Sequence, residues 1–238
     1  MPNTLQFDFE GHRATLITPD KPATGMPYVW RTEFLGAFDY ADRALLARGF
    51  HIAYCAVQNE YGSPYAIGEF KRFHDYLTKT YGLSPRAALF GFSRGGLYAV
   101  NYALAHPDDV ACLYLDAPVL DLKSWPAGLG MGDGSPAEWA DCKSRVMGAE
   151  TVEAILAWPH NPVDHLGELI ATHLPVILVA GGADTVVPYA ENSARLVAAY
   201  QAAGEPITVI MKPDCGHHPH SLEEPAPIVA FVEKAYSL

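Results

Sequence analysis

The chain has 238 residues, which is enough for one large domain or two small ones. Hydrophobic residues make up 50% and charged residues 18%, a balance that can bury a sizeable core and that excludes a disordered, coiled-coil or collagen-like chain. The formal net charge of −11 disfavours nucleic acid and anionic membranes as partners, because both carry negative charge. The first residues lack a basic start followed by an apolar stretch, so we expect a cytoplasmic protein.

Apolar residues recur with spacings that predict alternating strands and helices. The N-terminal part predicts a hairpin of two strands over 5–9 and 13–18, a strand over 27–30, a helix from Phe38 to a stop at Gly49, and a strand over 51–57. The central part predicts a helix over 65–80, a strand over 87–93, a helix over 95–105 and a strand over 111–118. The last part predicts a strand over 175–182, a helix near 189–203, a strand over 207–214 and a helix near 223–236. Near-continuous apolar strands separated by amphipathic helices are typical of a parallel sheet covered on both faces, so the predicted fold class is α/β.

Residues 119–174 break this alternation with the turn-rich stretches SWPAGLGMGDGSPAEW and WPHNPVD. An insertion after the carboxyl end of a strand usually caps the crevice in which such sheets bind ligands. We therefore interpret 1–238 as a single domain and 119–174 as a lid inserted within it.

The segment Gly91-Phe92-Ser93-Arg94-Gly95 fits the pattern G-x-S-x-G, and it lies where a predicted strand ends and a predicted helix begins. The glycines permit the sharp, strained turn that lifts the serine hydroxyl out of the sheet. The following helix directs its free N–H groups toward any negative charge that develops there. The segment therefore predicts a nucleophile elbow at Ser93.

A serine needs a base to activate it and a further group to orient that base. Asp184 follows the predicted strand over 175–182, and the stretch CGHHPH, with His217, His218 and His220, follows the last predicted strand. The order Ser, Asp, His along the chain is that of one family of folds.

With these motifs the chain resembles the α/β-hydrolase superfamily over essentially its full length. The correspondence includes two lead-in strands, the elbow after the fifth strand, an insertion after the sixth, the acid after the seventh and the histidine after the eighth. The resemblance implies a mostly parallel eight-stranded sheet and a triad of Ser93, Asp184 and a histidine. The elbow GFSRGG and the ending GHHPHSL also resemble a bacterial, serine esterase-like branch that is associated with carbohydrate esters.

Two positions of this triad have competitors. Members of the superfamily commonly have Gly-His at the last loop, which favours His217 over the alternative His218, with His220 as a third choice. Some members carry the acid after the sixth strand, where this chain has Asp116. The tight loop around Asp184 favours that residue as the acid.

Three histidines within four residues are also a pattern that binds metal, with Asp214 as the nearby acid. Zinc sites usually draw their ligands from more separated positions, so we predict no metal. Acyl transfer by a serine requires no cofactor, and we predict none.

The oxyanion of an acyl-transfer intermediate needs backbone donors. Arg94 supplies one N–H, and the loop after the third strand should supply the second through Arg31, or through Thr32 if the strand is one residue longer. Many relatives have His-Gly at this point, whereas this chain has Trp30-Arg31. The guanidinium of Arg31 or Arg94 is also a candidate partner for an anionic or polyhydroxylated substrate.

Further candidates for substrate contact border the predicted crevice. They are Trp30 at the end of the third strand, Glu60 and Tyr61 in the loop after the fourth strand, Asp121, and the inserted Trp125 and Trp139, whose rings suit stacking on sugars.

These residues predict a serine hydrolase that cleaves carboxylic esters of a small molecule or an oligosaccharide through an acyl-enzyme. We favour esters over peptides because nothing here resembles the propeller domain of related oligopeptidases. The alternatives are a non-catalytic small-molecule receptor on the same fold, and a carbon–carbon hydrolase or lyase that uses the same triad.

Overall fold

The computed structural model describes residues 2–148 and 151–237. Within these ranges, eight strands form one sheet in the order β1-β2-β4-β3-β5-β6-β7-β8. The strands are β1 (Asn3–Phe9), β2 (His12–Thr18), β3 (Tyr28–Arg31), β4 (His51–Cys55), β5 (Ala87–Phe92), β6 (Val110–Asp116), β7 (Val176–Gly181) and β8 (Thr208–Lys212). The α-helices are α1 (Tyr40–Ala47), α2 (Pro64–Tyr81), α3 (Gly95–Ala105), α4 (Pro136–Cys142), α5 (Val152–Leu156), α6 (Leu166–Ala171), α7 (Ser193–Ala203) and α8 (Ala226–Ala235).

Strands β1 and β2 form an antiparallel hairpin, and β2 also pairs antiparallel with β4. The pairs from β4 through β3, β5, β6 and β7 to β8 are all parallel. The predicted α/β class with a mostly parallel eight-stranded sheet is confirmed. Because parallel strands end at the same edge, the loops after β3, β5, β7 and β8 meet there.

Helices cover both faces of the sheet, and each face has its own apolar core. Helices α2, α3, α6 and α7 pack on one face, and α1 and α8 pack on the other. Successive residues of a strand point to opposite faces, so Trp30 faces α2 and α3 while Arg31 faces α1. The indole of Trp30 is fully buried, with its centroid 4.8 Å from that of Phe70 and 5.2 Å from that of Tyr102. The prediction that Trp30 contacts substrate is therefore wrong.

Helices α1 and α7 begin later than predicted for local reasons. Helix α1 begins at Tyr40 rather than Phe38, because Phe34, Gly36 and Phe38 all adopt a positive φ and form a loop. The last helix before β8 starts at Ser193, after a short 3-10 turn. The later start of α1 lengthens the loop between β3 and α1, and this loop lies beside the elbow.

The segment between β6 and β7 contains α4, α5 and α6, which fall within the predicted insertion 119–174. No helix in the described part of the chain is both long and apolar enough to cross a membrane. The action of the insertion as a lid and the cytoplasmic location stay predictions.

The start of α3 lies against the loop that follows β6, and Gly96 is what permits this approach. A Cβ at Gly96 would lie 2.5 Å from the Cβ of Pro118 and 2.9 Å from the carbonyl oxygen of Val119. We expect Gly96→Ala to lower the free energy of unfolding by about 1–3 kcal/mol, as measured by urea denaturation. Gly167→Ala is the matched control, because the exposed Gly167 has no atom within 4 Å of its added Cβ. Equal stability of the two variants would contradict the close packing at Gly96.

Candidate active site

Ser93 lies between β5 and α3 with a φ of 48°, in the left-handed region that residues with side chains rarely adopt. Two backbone hydrogen bonds hold this conformation. The Ser93 N–H donates to the Asp116 carbonyl at 2.9 Å, and the Val119 N–H donates to the Ser93 carbonyl at 2.8 Å. The turn presents the hydroxyl at the edge where the strands end, as expected of an elbow.

Ser93, His217 and Asp184 form a hydrogen-bonded row. The distance from Ser93 Oγ to His217 Nε2 is 2.8 Å, and that from His217 Nδ1 to Asp184 Oδ2 is 2.8 Å. The other oxygen of Asp184 accepts the N–H groups of Val186 and Val187, both at 2.9 Å. The carboxylate thus fixes the imidazole with Nδ1 protonated, which leaves Nε2 to accept the serine proton.

The two neighbouring histidines occupy different places. His218 is exposed, and its ring stacks on Phe38 with centroids 5.7 Å apart. Partial burial lowers the pKa of His218, and the imidazoles of His220 and His217 shift it in the same direction. His220 is buried and its Nδ1 lies 2.8 Å from Asp116 Oδ1. In the described part of the chain, only His217 of the three makes a hydrogen bond to Ser93.

Asp116, the competing acid, supports the histidine loop instead. Its second oxygen accepts the Ser221 N–H at 2.8 Å and the Tyr114 hydroxyl at 2.8 Å. The side chain is buried together with His220. Asp116 therefore anchors the loop that carries the histidines to the end of β6.

Asp116→Ala is expected to lower the free energy of unfolding by about 3 kcal/mol or more. The reason is that His220, Ser221 and Tyr114 each lose a buried acceptor. Urea denaturation measures the loss, and the exposed Asp133→Ala serves as the control, with an expected change within about 0.5 kcal/mol. A similar effect of both substitutions would show that the anchor does not matter.

The backbone donors predicted on β3 are engaged in the sheet. The Thr32 N–H donates to the Phe90 carbonyl at 3.2 Å. Successive N–H groups of a strand point to opposite neighbours, so the Arg31 N–H points to β4, away from the elbow. The prediction that Arg31 or Thr32 donates to the oxyanion is therefore wrong, because β3 continues one residue further than predicted. Residues 33 and 34 are the first that leave the sheet.

The Arg31 side chain is buried and has a structural role. Its Nε lies 2.8 Å from Asp42 Oδ1, and its Nη2 donates to the Ala37 carbonyl at 2.6 Å. The guanidinium also lies 3.9 Å from the centroid of Phe92. Arg31 thus ties the β3–α1 loop to the sheet. The prediction that its guanidinium binds substrate is wrong, because the side chain is buried.

The Arg94 guanidinium connects the elbow to the insertion. It lies 3.0 Å from Glu33 Oε2 and 2.9 Å from Glu138 Oε2 on α4. The Tyr61 hydroxyl donates to Glu138 as well. Burial raises the pKa of Glu33, and Arg94 opposes that rise. Two protein carboxylates thus already bind the Arg94 guanidinium, which was predicted to bind substrate.

Glu33 and Glu138 are not among the sequence candidates. Glu33 comes two residues after β3, and this position close to the strand end is a signal that the sequence contains. Nothing in the local sequence singles out Glu138, because its contact depends on how α4 packs.

The pocket beside the nucleophile has a volume of about 180 Å³. Its lining consists of Phe34, Ala37, Phe38, Phe92, Ser93, His217, His218 and His220. A larger cavity of about 420 Å³ lies at the opposite edge of the sheet, near the starts of β7 and β8. The described residues that line this second cavity include no serine or cysteine, so it offers no comparable nucleophile.

The remaining predicted contacts lie outside the pocket that holds Ser93. Tyr61 is buried, with its ring centroid 6.4 Å from that of Trp125. Trp125 and Trp139 are partly buried against the core. The backbone of Glu60 donates to the Tyr98 hydroxyl at 2.9 Å. The rings of Tyr61, Trp125 and Trp139 pack at the junction between the insertion and the α2 face.

Asp121 is also held by protein groups. Its carboxylate accepts the Lys123 N–H at 2.9 Å and pairs with Arg195 at 3.1 Å. Burial raises the pKa of Asp121. The structure therefore gives this carboxylate a role in holding the insertion to α7.

The geometry described above is that of a serine nucleophile with its base and acid. A search of curated proteins finds no match. Among protein families, residues 56–237 match the prolyl oligopeptidase family, whose members are serine hydrolases with the α/β-hydrolase fold. Because the match spans well over half of the sequence, the chain belongs to the prolyl oligopeptidase family.

Proposed function

We propose that the protein is a carboxylic ester hydrolase that works through an acyl-enzyme on Ser93. The observation that carries this proposal is the row from Ser93 through His217 to Asp184, with both contacts at 2.8 Å. Membership of the family supports a serine hydrolase, and the choice of esters is our inference.

In the first step, Ser93 Oγ attacks the acyl carbonyl while His217 Nε2 removes the hydroxyl proton. The Nδ1–H of His217 donates to Asp184, and this carboxylate stabilises the imidazolium that forms. The Asp184 charge is itself held by two backbone N–H groups. Collapse of the intermediate passes the proton from His217 to the leaving alcohol.

The developing oxyanion requires backbone N–H donors close to the start of α3. The Arg94 N–H opens this helix and precedes its first internal hydrogen bonds. We assign the second donor to the N–H of Glu33 or Phe34, since Phe34 lines the pocket and a Cβ on Gly95 would lie 3.6 Å from the Glu33 nitrogen. Each such donor lowers the activation free energy by on the order of 3 kcal/mol.

Water then attacks the acyl-enzyme by the same route. His217 removes a proton from the water molecule and returns it to Ser93 as the acid leaves. The residues involved need no cofactor for either half of the reaction.

The charges around the site favour esters over peptides that carry a free ammonium group. A free carboxylate stabilises a bound ammonium, and four carboxylates beside the elbow and the histidine loop in the described part of the chain each already pair with a protein side chain. Their partners are Arg94 for Glu33 and Glu138, His217 for Asp184, and His220 for Asp116.

The pocket suggests the size of the acyl group. A volume of about 180 Å³ with Phe34, Phe38 and Phe92 in the lining suits a short apolar acyl chain. His218 at the rim is exposed, which leaves room for a bulky alcohol such as a sugar. The inserted tryptophans lie outside this pocket, so we do not assign them to the alcohol.

Turnover of paired substrates tests the proposal. We expect p-nitrophenyl acetate and butyrate to be hydrolysed faster than the octanoate, and matched p-nitroanilides to react at least about a hundred-fold more slowly. Faster turnover of an anilide than of its ester would make the protein a peptidase. Failure of both series would favour the carbon–carbon hydrolase or the receptor.

A further inference from the structure

Three imidazoles from the loop after β8 meet at the mouth of the Ser93 pocket. One ring nitrogen from each of His217, His218 and His220 lies within 4.8 Å of the others. The ring centroids are 4.9, 4.8 and 4.7 Å apart. The proposed hydrolysis uses only His217, so it does not explain why the rings of His218 and His220 lie beside it.

Two of these rings are oriented in the way that proteins orient metal-binding histidines. His217 Nδ1 is bound to Asp184 and His220 Nδ1 is bound to Asp116, both at 2.8 Å. A histidine that donates one ring N–H to a carboxylate has its ring orientation fixed and presents its other nitrogen as a ligand, as in carboxylate–histidine–zinc arrangements. The Nε2 atoms of both rings are therefore the available ligand atoms.

His217 Nε2 is bound to Ser93, whereas His220 Nε2 has no hydrogen-bond partner within residues 2–148 and 151–237. Because His220 lines the Ser93 pocket, an ion in that pocket can reach this unpaired nitrogen. The exposed His218, whose ring stacks on Phe38, adds a third donor.

The spacing is close to that of a metal site. Bonds of about 2.0–2.1 Å in a tetrahedral zinc site separate the ligand nitrogens by about 3.4 Å. The ring nitrogens lie within 4.8 Å of one another, so binding of one ion by all three rings requires the side chains to move closer together by about 1 Å. All three rings line the same pocket of about 180 Å³, which has room for an ion and one or two waters.

We propose that His217, His218 and His220 bind a divalent transition ion of the zinc class, and that the ion inhibits hydrolysis. The ion takes the lone pair of His217 Nε2 as a ligand, so Ser93 loses the acceptor for its proton. Imidazole ligands suit Zn²⁺, Ni²⁺ and Cu²⁺, whereas Mg²⁺ and Ca²⁺ require oxygen ligands. Binding does not depend on the proposed function, and only the inhibition does.

Calorimetric titration of the full chain with ZnCl2 tests the binding. We expect one site per chain, and affinity about ten-fold or more weaker in His218→Asn. His173→Asn, which alters an exposed histidine far from the loop, should bind Zn²⁺ as the unsubstituted chain does. Cys215→Ser, in the same loop, should also retain binding, which excludes the thiol as the main ligand.

Ester turnover with and without Zn²⁺ tests the inhibition. We expect loss of turnover with Zn²⁺, recovery after EDTA, no effect of Mg²⁺, and about ten-fold less sensitivity in His218→Asn. No Zn²⁺ binding, or equal binding in His218→Asn, would overturn the proposed site. Zn²⁺ binding that depends on His218 in a chain without ester turnover would retain the site and overturn the proposed function instead. Ester turnover that Zn²⁺ leaves unaffected would overturn the inhibition.

Discussion

Ser93→Ala should lower kcat for ester hydrolysis by roughly 10⁴-fold or more, because the acyl-enzyme cannot form. The oxyanion donors and the pocket remain, so slow residual turnover above the uncatalysed rate is expected. The loss should come without unfolding, since the elbow conformation is held by backbone hydrogen bonds to Asp116 and Val119. Steady-state kinetics with p-nitrophenyl acetate, together with thermal unfolding, measure both quantities.

The matched control is Ser144→Ala, since this exposed serine hydroxyl bonds only to the Asp141 carbonyl in the part of the chain that the structure describes. Its kinetics should equal those of the unsubstituted chain. Turnover by a folded Ser93→Ala variant within ten-fold of the original would mean that another group carries the reaction.

The second large effect concerns the base. His217→Ala should lower kcat by roughly 10⁴-fold or more, and Asp184→Asn by roughly 10⁴-fold, because the asparagine stabilises the wrong imidazole tautomer. His218→Ala should cost less than about ten-fold, since His218 makes no hydrogen bond to Ser93 in the described structure. The comparison of the two histidine variants decides which ring is the base.

A double variant adds a sharper check on this account. Residues that act as one unit are not additive, so Ser93→Ala with His217→Ala should be no slower than Ser93→Ala alone. Multiplied losses in the double variant would show that His217 acts independently of the serine.

The elbow and its partners could be predicted because they depend on local patterns. Near-continuous apolar strands mark the ends of β5 and β7, and G-x-S-x-G fixes the turn at Ser93. The position of Asp184, which contacts His217, follows directly from the end of β7. These positions rest on strand ends and on chain order, which a single sequence contains.

The roles of residues at the end of β3 are harder to predict, because they depend on which residue is the last of the strand. The predicted strand stopped at Trp30, but β3 includes Arg31, and the Thr32 N–H still bonds to Phe90. One extra strand residue makes Glu33 and Phe34 the first residues that leave the sheet. It also places Arg31 in the sheet, where its side chain and that of Trp30 are buried against opposite faces.

Contacts made by the insertion could not be predicted from local patterns. Glu138 reaches Arg94 only because α4 packs over the elbow, and the sequence does not specify that placement. The pairing of Asp116 with His220 likewise joins the end of β6 to the loop after β8. Such long-range contacts follow from the assembled sheet.

The most direct test of the central claim is covalent labelling with a fluorophosphonate, followed by tryptic digestion and mass mapping. Trypsin cleaves after Arg86 and Arg94 and releases the peptide AALFGFSR, in which Ser93 is the only serine. The account predicts one phosphonyl group per chain on this peptide, and none on it in the Ser93→Ala variant. A folded chain that takes no label, or takes it on a different peptide, would contradict the assignment of Ser93 as the activated nucleophile.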